Sequence, residues 1–449
     1  SLGCAIALQV LIAVSILTFK LLVSSDAAAP QVETAAHFSG GAVKSGLPPA
    51  SAKLRGLGFA LPPDTRPKAC RRDFEGVAES YNSNVTIIIP YLHESWEHLS
   101  KTLRSLLHFT PDSVIKEYLF VSDGNPPEKT FESELMAMSP KVRVIVNSQR
   151  TGLMRAKMKA AEEAKGSILV FMEAHVIANK DWLLPLLLRI TNFPRALVQP
   201  TLDVIPQDNF DQYQRAGMGH WRFEWNMNVI FTSPPDRSAL DSSSDQPTAM
   251  PATSGGIFAI RRDWWNKLGL YDPELKEWGG DHVEATMKVW RCGGHIEMHP
   301  CSRVGHLFRD PDHRPYPVKV PQVVRNYARL AAVWWDDYLK YFQRMKPETR
   351  VMPIGDVAPQ LKLREVLQCE DMEWYLKYVD PEMEWEANHI CVPGADKSRG
   401  GCEKKAAHGR STIDRIMPAA EYKARRAEIQ EYWNTRMYSQ SLDDDENEL

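Results

Sequence analysis

The sequence predicts an α/β domain built on a mostly parallel β-sheet flanked by helices, with a membrane-spanning helix before it. Short apolar runs alternate with stretches of helical period over residues 85–309, which is typical of βαβ units. One such run, Ile168 to Met172, ends abruptly in Glu173-Ala174-His175. It suits a buried strand whose last residues reach the ligand-binding edge of the sheet. Residues 2–19 carry no charge at all.

The elements of this domain are predicted in chain order from apolar period and turn residues. Strands are predicted at 85–90, 117–121, 142–146, 168–172, 196–205 (as a strand pair), 254–260 and 303–309. Helices are predicted at 96–109, 152–164, 182–190 and from Asp281 to about Trp290. Residues 232–252 are rich in Pro and Ser and are predicted to form a long loop.

The N-terminus predicts a membrane anchor and a stem. A signal anchor is predicted at residues 1–23, of which residues 2–23 as a helix span about 33 Å, enough for the core of a bilayer. A cleavable signal peptide is the alternative, although its apolar region would be long. Residues 24–80 lack an apolar period and are rich in Ala, Ser, Gly and Pro, which indicates a flexible stem. An ordered arm that wraps the domain is the other interpretation of this stretch.

Composition and charge indicate a globular protein and give no sign of a nucleic-acid-binding protein. The chain has 449 residues, 43% hydrophobic and 25% charged, with a formal net charge of −3. These values are ordinary for a globular protein, and nothing in them indicates nucleic-acid binding. Its seven cysteines contain no Cys-x-x-Cys pair, so a zinc ribbon is not expected.

The end of the strand at 168–172 is a candidate metal site. Glu173 and His175 are two residues apart, so their side chains point the same way on an extended strand. A carboxylate oxygen and an imidazole suit a divalent cation such as Mn²⁺. The alternative is a strand that simply ends in a solvated loop. Gly255 and Gly256 open a predicted strand, where they permit a close approach of the backbone to a ligand or another chain, or form a simple bulge. Asp281, after Gly280, suits a helix cap.

Six segments, in order, resemble motifs of the polypeptide N-acetylgalactosaminyltransferase family over residues 84–381. The family's Arg-x-Gly-Leu-x-Arg-x-Arg, Asp-x-His and Trp-Gly-Gly-Glu-Asn motifs correspond to Arg150–Lys157, Glu173–His175 and Trp278–His282, the last continued by Val-Trp-Arg-Cys-Gly-Gly at 289–294. Its Cys-Ser-x-Val-Gly-His-x-Phe-Arg is intact at 301–309, and its two later motifs correspond to 329–338 and 374–382. The resemblance implies a GT-A fold over residues 81–382 and a retaining transfer of GalNAc from UDP-GalNAc to Ser or Thr of proteins, at the start of mucin-type O-glycosylation.

The resemblance also assigns residues to roles. It implies that Glu173, His175 and His306 hold Mn²⁺, and that Arg309, His313 and Tyr316 belong to a loop over the donor diphosphate. It implies that Thr86, Asp123 and Arg155 lie at or beside the uridine, with Arg150 as the nearby alternative to Arg155. Trp278, Asp281 and His282 would lie near the donor sugar and acceptor. No enzyme nucleophile is implied.

The family's cysteine pairs imply two disulfides here, Cys70–Cys301 and Cys292–Cys369. Cys391 and Cys402, ten residues apart, could pair locally, and Cys4 would lie in the membrane as a free thiol. The implied location is a single-pass type II Golgi membrane protein with its catalytic domain in the lumen.

Three departures from the family motifs leave other functions open: Glu173 in place of Asp, Asp281-His282 in place of Glu-Asn, and Ser122 in place of the first residue of an Asp-Asp pair. They motivate two alternatives, a transferase that uses a different UDP-sugar and an inactive, membrane-tethered peptide-binding protein. The first and second departures could also compensate for one another. Residues 383–449 replace the family's ricin-like lectin domain and are predicted to form a charged helix at 419–437 and a solvated acidic tail.

Overall fold

The central sheet organises the part of the chain that the computed structural model describes, residues 58–71, 84–234, 243–309, 311–389 and 417–446. Its strands, in chain order, are β1 Val85–Tyr91, β2 Ile115–Asp123, β3 Val142–Asn147, β4 Ile168–Phe171, β5 Val176–Ala178, β6 Ala196–Ile205, β9 Thr248–Ala249, β10 Phe258–Arg261 and β11 His295–Leu307. They lie in the order β3-β2-β1-β4-β10-β6-β11-β5, with β9 on β11. A separate hairpin joins β7 His220–Phe223 and β8 Val229–Thr232.

The sheet is mixed: its longer pairings are parallel, as predicted, and its shorter ones are antiparallel. Strands β1, β2, β3 and β4 run parallel to one another, and β6 runs parallel to β11. Strand β10, however, runs antiparallel between β4 and β6, and β5 and β9 run antiparallel to β11. The antiparallel β5 is short and follows β4 directly, which folds the Glu173–His175 segment back across the edge of the sheet.

Several predicted elements differ in extent from those in the structure. Residues 196–205 form one strand, β6, and not a pair, because parallel β11 pairs along its whole length. The strand predicted at 254–260 begins only at Phe258, so the two glycines lie just before it. The short strand predicted at 303–309 is the end of the thirteen-residue β11.

Helices pack on the sheet and carry its connections. They are α1 Trp96–Phe109, α2 Glu132–Met138, α3 Leu153–Glu163, α4 Leu184–Asn192, α5 Arg262–Lys267, α6 Asp281–Arg291, α7 Val320–Trp334, α8 Leu339–Met345, α9 Ala358–Val366, α10 Met372–Tyr378, α11 Pro381–His389 and α12 Ala419–Glu446. Helix α1 begins where Ser95 Oγ accepts a hydrogen bond from His98 N, a capping contact that satisfies a free helical N–H. Its apolar face buries Leu99, Leu103 and Leu106.

Residues 58–71 pack on the domain, although they were predicted to belong to a flexible stem. Thr65 Oγ1 donates to Asp203 Oδ2 at 2.5 Å, and Arg66 pairs with Asp181 at 2.7 Å. The guanidinium of Arg66 is almost fully buried. Residues 58–71 therefore form an ordered arm, the second interpretation of this stretch, because polar and charged side chains in it have partners on the domain.

Both implied disulfides are confirmed. Cys70 joins Cys301 across 231 residues, and Cys292 joins Cys369 across 77 residues. The first fastens the arm to β11, and the second fastens the end of α6 to the segment before α10. Cys391 and Cys402 lie outside the described residues.

Replacing Cys292 and Cys369 together by serine is expected to lower the free energy of unfolding by about 2–4 kcal/mol, because the bond restricts a long loop of the unfolded chain. Urea unfolding of the parent protein and the variant measures the difference. Mass spectrometry without reductant first verifies that the parent carries the bond. Equal unfolding midpoints and slopes would contradict a stabilising role.

The C-terminal helix α12 covers one side of the domain. Trp433 is buried, its ring lies 4.7 Å from that of Trp290, and its Nε1 donates to Tyr378 O at 2.9 Å. Tyr432 stacks on Tyr378 with ring centres 4.1 Å apart. The helix is longer than the predicted 419–437, and its Trp433 belongs to the hydrophobic core.

Among the residues that the structure describes, no helix is long and apolar enough to cross a membrane. The predicted anchor at residues 1–23 lies outside those residues, as does most of the predicted stem.

Candidate active site

A cleft opens at the edge of the sheet where β1, β2 and β4 end. Residues from the ends of all three strands line it, as expected for the carboxyl edge of an α/β sheet. The loop that follows β11 and the loop that precedes α6 close its other side. Its charged and aromatic lining includes Glu94, Asp123, Arg150, Glu173, His175, Glu277, Trp278, Arg309 and Tyr316.

Glu173, His175 and His306 converge on one point in this cleft. One ligand atom of each, a carboxylate oxygen or an imidazole nitrogen, lies within 4.8 Å of the others. His306 is brought there because it pairs with Val176 in the β5–β11 ladder, beside His175. The sequence placed the first two residues together, and the antiparallel return of β5 adds the third.

A buried threonine holds the backbone of the Glu173–His175 segment. Thr102 Oγ1, on helix α1, lies 3.1 Å from Ala174 O and 3.0 Å from both Val176 O and Val176 N. A hydroxyl can donate one hydrogen bond and accept others, so this single side chain fixes the turn between β4 and β5. The two ligand residues on either side of Ala174 are thereby held in place.

Glu94 determines how His175 faces the cleft. Its Oε2 lies 3.0 Å from His175 Nδ1, and both its oxygens accept from Arg309, at 2.9 and 2.6 Å. Burial alone would raise the pKa of Glu94, but hydrogen bonds from His175, His98 and Arg309 hold that pKa well below its usual range. The ionised carboxylate can only accept, so His175 Nδ1 donates and Nε2 keeps its free lone pair for a metal.

His306 also fits a metal ligand. Its Nδ1 is buried and has no hydrogen-bond partner in the structure, which is unusual for a polar atom in that setting. Burial, with the charges of His175 and Arg309, lowers the pKa of His306 well below its usual value. The neutral imidazole that results is the form that binds metals. One carboxylate and two imidazoles, one of which has an orphaned nitrogen, together fit a divalent cation such as Mn²⁺.

The two glycines before β10 make room for the longer carboxylate. A Cβ on Gly256 would lie 2.5 Å from Glu173 Oε1, and a Cβ on Gly255 would lie 2.7 Å from the Cβ of His282. Only glycine allows such approaches on both sides of one dipeptide. The Gly255–Gly256 dipeptide therefore separates Glu173 from the start of helix α6.

Asp281 and His282 lie behind this dipeptide and are not among the residues that line the cleft. Asp281 Oδ2 accepts from Lys157 Nζ at 2.9 Å. Burial alone would raise the pKa of Asp281, but the charge of Lys157 and contacts with His282 hold that pKa well below its usual range. His282 Nε2 is buried without a hydrogen-bond partner, and the ring packs near Phe223 and Tyr327.

Cations and aromatic rings cover the opposite wall. The guanidinium of Arg150 lies 5.4 Å from the ring centre of Tyr316, and that of Arg314 lies 4.8 Å from the ring centre of Trp278. Asp123 lies below them, where it accepts hydrogen bonds from Thr151 N at 2.8 Å and Gly152 N at 2.8 Å. Asp123 thereby folds the loop that presents Arg150 to the cleft.

Comparison with known proteins agrees with this arrangement. Residues 86–269 match the model of glycosyl transferase family 2, and residues 239–311 match the model described as the N-terminal domain of galactosyltransferase. Polypeptide N-acetylgalactosaminyltransferase 10 of Homo sapiens is 39% identical over 300 residues, which are 65% of this chain and 49% of that protein. Polypeptide N-acetylgalactosaminyltransferase 4 of Caenorhabditis elegans is 35% identical over 326 residues, 72% of this chain and 54% of that protein.

A solved structure agrees at the level of the fold. The crystal structure of GalNAc-T7 with UDP, GalNAc and Mn²⁺ superposes with a TM-score of 0.65 at 29% identity, covering 74% of this chain and 62% of that chain. The matched part of this chain belongs to the polypeptide N-acetylgalactosaminyltransferase family. Its domain has the GT-A fold, and the chain spans about half the length of the first of these relatives.

Three residues that the family resemblance assigned to the donor site do not line the cleft. Thr86 is fully buried near the start of β1, where it donates to Glu117 Oε1 at 3.1 Å, and about 14 Å of extended strand separates it from Pro90, where the cleft begins. Arg155 donates to Pro273 O at 2.9 and 2.7 Å on the outer side of α3. His313 is exposed in the turn at Pro311–His313. Of the two arginines that were weighed, Arg150 is the one in the cleft.

Two residues of this family member's cleft were missed by the sequence analysis. Glu94 follows β1 as Glu173 follows β4, at the same edge of the sheet. Its position after a strand could therefore have identified Glu94 as a candidate site residue. Glu277 accepts from Lys319 Nζ at 2.8 Å and lies 3.7 Å from Arg150. Nothing in its local sequence indicated that contact, since Arg150 and Glu277 are joined only by the fold.

Proposed function

We propose that this chain is a retaining glycosyltransferase that moves GalNAc from UDP-GalNAc to Ser or Thr hydroxyls of proteins, with Mn²⁺ bound by Glu173, His175 and His306. The observation that carries the proposal is the convergence of these three side chains in a cleft that Arg309 and Arg150 also line. The named activity of the relatives and the UDP, GalNAc and Mn²⁺ of the GalNAc-T7 structure support it.

The cleft supplies positive charge where UDP must leave. When bound, Mn²⁺ acts as a Lewis acid on the donor diphosphate. Arg309 lies beside the metal residues, paired with Glu94, and Arg150 and Tyr316 stand on the opposite wall. Their donors are placed to stabilise the charge that develops as the bond between the sugar and the diphosphate oxygen breaks.

Transfer itself needs no covalent intermediate in this proposal. The acceptor hydroxyl forms its bond to the anomeric carbon on the face that UDP leaves, and its proton passes to an oxygen of the departing diphosphate. Trp278 lines the cleft and stacks against Arg314, so it offers an aromatic surface to the sugar and the acceptor. The chain's task is to hold the two substrates together and to exclude water.

The cellular location is part of the same proposal. The charge-free segment at residues 2–19 would anchor the chain in the Golgi membrane as a type II protein, with the catalytic domain in the lumen. The two disulfides support an oxidising compartment, since such bonds persist there and are rare in the cytosol.

A different UDP-sugar is the second candidate, and one observation favours it. The family has asparagine where this chain has His282, whose buried Nε2 has no hydrogen-bond partner. The packing behind the cleft therefore differs from the family pattern, and the donor that the cleft accepts can differ with it. This alternative keeps the reaction class and changes only its substrate.

The proposal is tested with the purified full-length chain, a panel of UDP-sugars and a mixture of Ser/Thr/Pro-rich peptides, with Mn²⁺ or with chelator. Metal-dependent transfer from UDP-GalNAc, read as a mass increase of the peptide, is expected. His306→Ala is expected to remove it, whereas His108→Ala, on the exposed side of α1, is the matched control. Transfer from another donor would favour the second candidate. No transfer and no UDP binding by calorimetry would leave a non-catalytic peptide-binding protein.

A further inference from the structure

A buried lysine joins the two halves of the site. Lys157, on α3, has a side chain only 2% exposed. Its Nζ donates to Gly255 O at 2.9 Å and to Asp281 Oδ2 at 2.9 Å. It therefore holds the dipeptide before β10 and the first residue of α6 at the same time.

The dipeptide that Lys157 holds is in contact with the metal residue. Gly256 faces Glu173 so closely that a Cβ there would meet Oε1 at 2.5 Å. Any shift of the Gly255 carbonyl therefore moves the wall against which the Glu173 carboxylate rests. On the other side of the segment, Gln199 Oε1 accepts from Ser254 N at 3.1 Å. Lys157 holds the same segment through the carbonyl of Gly255.

A charged anchor at this position needs an explanation beyond packing. A buried ion pair adds little net stability compared with apolar residues of similar volume, and its better-attested use is to specify one arrangement. Here the arrangement in question is that of Gly255 and Gly256, which have no side chains of their own to fix them. Metal ligands tolerate only about 0.2 Å of error in their distances, so the position of this wall matters.

We infer that Lys157 is a positioning residue for the metal site: by holding the Gly255 carbonyl and Asp281 together, it sets the place of Gly256 and hence of the Glu173 carboxylate. The inference rests on the metal site of the proposed function and deepens it. Lys157 touches neither metal nor substrate. It acts through the backbone of the dipeptide.

The test measures Mn²⁺ affinity and not activity. Electron paramagnetic resonance of free Mn²⁺ gives the Kd of the purified full-length chain and its variants. Lys157→Met is expected to raise the Kd about tenfold, the size of effect typical of residues that orient metal ligands. Lys157→Arg keeps a charged donor and is expected to stay within about threefold of the parent. Lys159→Met, two residues along the same helix, is the matched control and is expected to leave the Kd unchanged.

A second variant separates positioning from stability. Lys157→Met leaves the Asp281 carboxylate buried without its partner, so its Tm is expected to fall. Adding Asp281→Asn removes that unpaired charge and is expected to recover much of the Tm without restoring the Kd, because the Gly255 carbonyl is still not held. Recovery of both quantities, or an unchanged Kd in Lys157→Met, would overturn the inference. A parent chain that binds no Mn²⁺ would overturn the metal site itself.

Discussion

Glu94→Gln is expected to lower kcat/KM for transfer by about 100-fold and to raise the Kd for Mn²⁺ by about tenfold, the range typical of carboxylates that orient metal-bound histidines. The glutamate accepts from His175 Nδ1 and, through both oxygens, from Arg309. A glutamine presents an NH₂ group to one of these donors, so either the imidazole or the guanidinium loses its orientation. The loss affects both the metal and the diphosphate.

Glu97→Gln is the matched control for this substitution. Glu97 lies three residues further along the same segment, and its side chain is 61% exposed in an ion pair with Lys101. Exposed pairs of this kind contribute little, so parent-like activity and Mn²⁺ binding are expected. If Glu94→Gln kept the parent's Kd for Mn²⁺ and its kcat/KM, Glu94 would have no positioning role.

Gly256→Ala is expected to weaken Mn²⁺ binding at least tenfold and to abolish most of the transfer activity. The new Cβ would lie 2.5 Å from Glu173 Oε1, a distance at which the carboxylate must move, whereas metal ligands tolerate only about 0.2 Å. Gly256 is not among the glycines with positive φ, so alanine brings no backbone strain there. The effect is therefore a steric test of the Glu173 position.

The shorter carboxylate should relieve this clash. Glu173→Asp alone is expected to weaken Mn²⁺ binding, because the parent site is fitted to the longer side chain. In the Gly256→Ala background the same change is expected to improve binding, so the two effects are not additive. Ser254→Ala in the same segment is the control. Additive losses in the double variant, measured as Mn²⁺ Kd, would show that Gly256 and Glu173 do not share this space.

Site residues that lie close together along a single strand could be predicted from the sequence. Glu173 and His175 follow β4 directly, and period and strand position were enough to pair them. The disulfides and the third ligand, His306, came from motifs of a known family and not from the residues' own spacing. The reason is physical: His306 reaches the site only because β5 turns back against β11, and no local pattern encodes that return.

What the sequence could not supply depends on contacts between distant segments. Thr86 is two residues into β1, and its distance from the cleft follows from the direction in which the strand runs. Glu94 becomes important only when Arg309, 215 residues later, reaches it. The arm at residues 58–71 has the composition of a stem, yet Arg66 and Thr65 find buried partners on the domain. In each case the deciding interaction joins residues far apart in the chain.

The fastening of this arm also has a consequence for how the chain matures. Cys70 is made 231 residues before Cys301, so it leaves the ribosome long before its partner exists. Cys292 emerges earlier than Cys301 and is a competing thiol, while its own partner, Cys369, comes 77 residues after it. First-come pairing would therefore join the wrong cysteines. Native pairing has to wait until β11 has docked beside β6, and a thiol–disulfide exchange catalyst should speed the production of active protein.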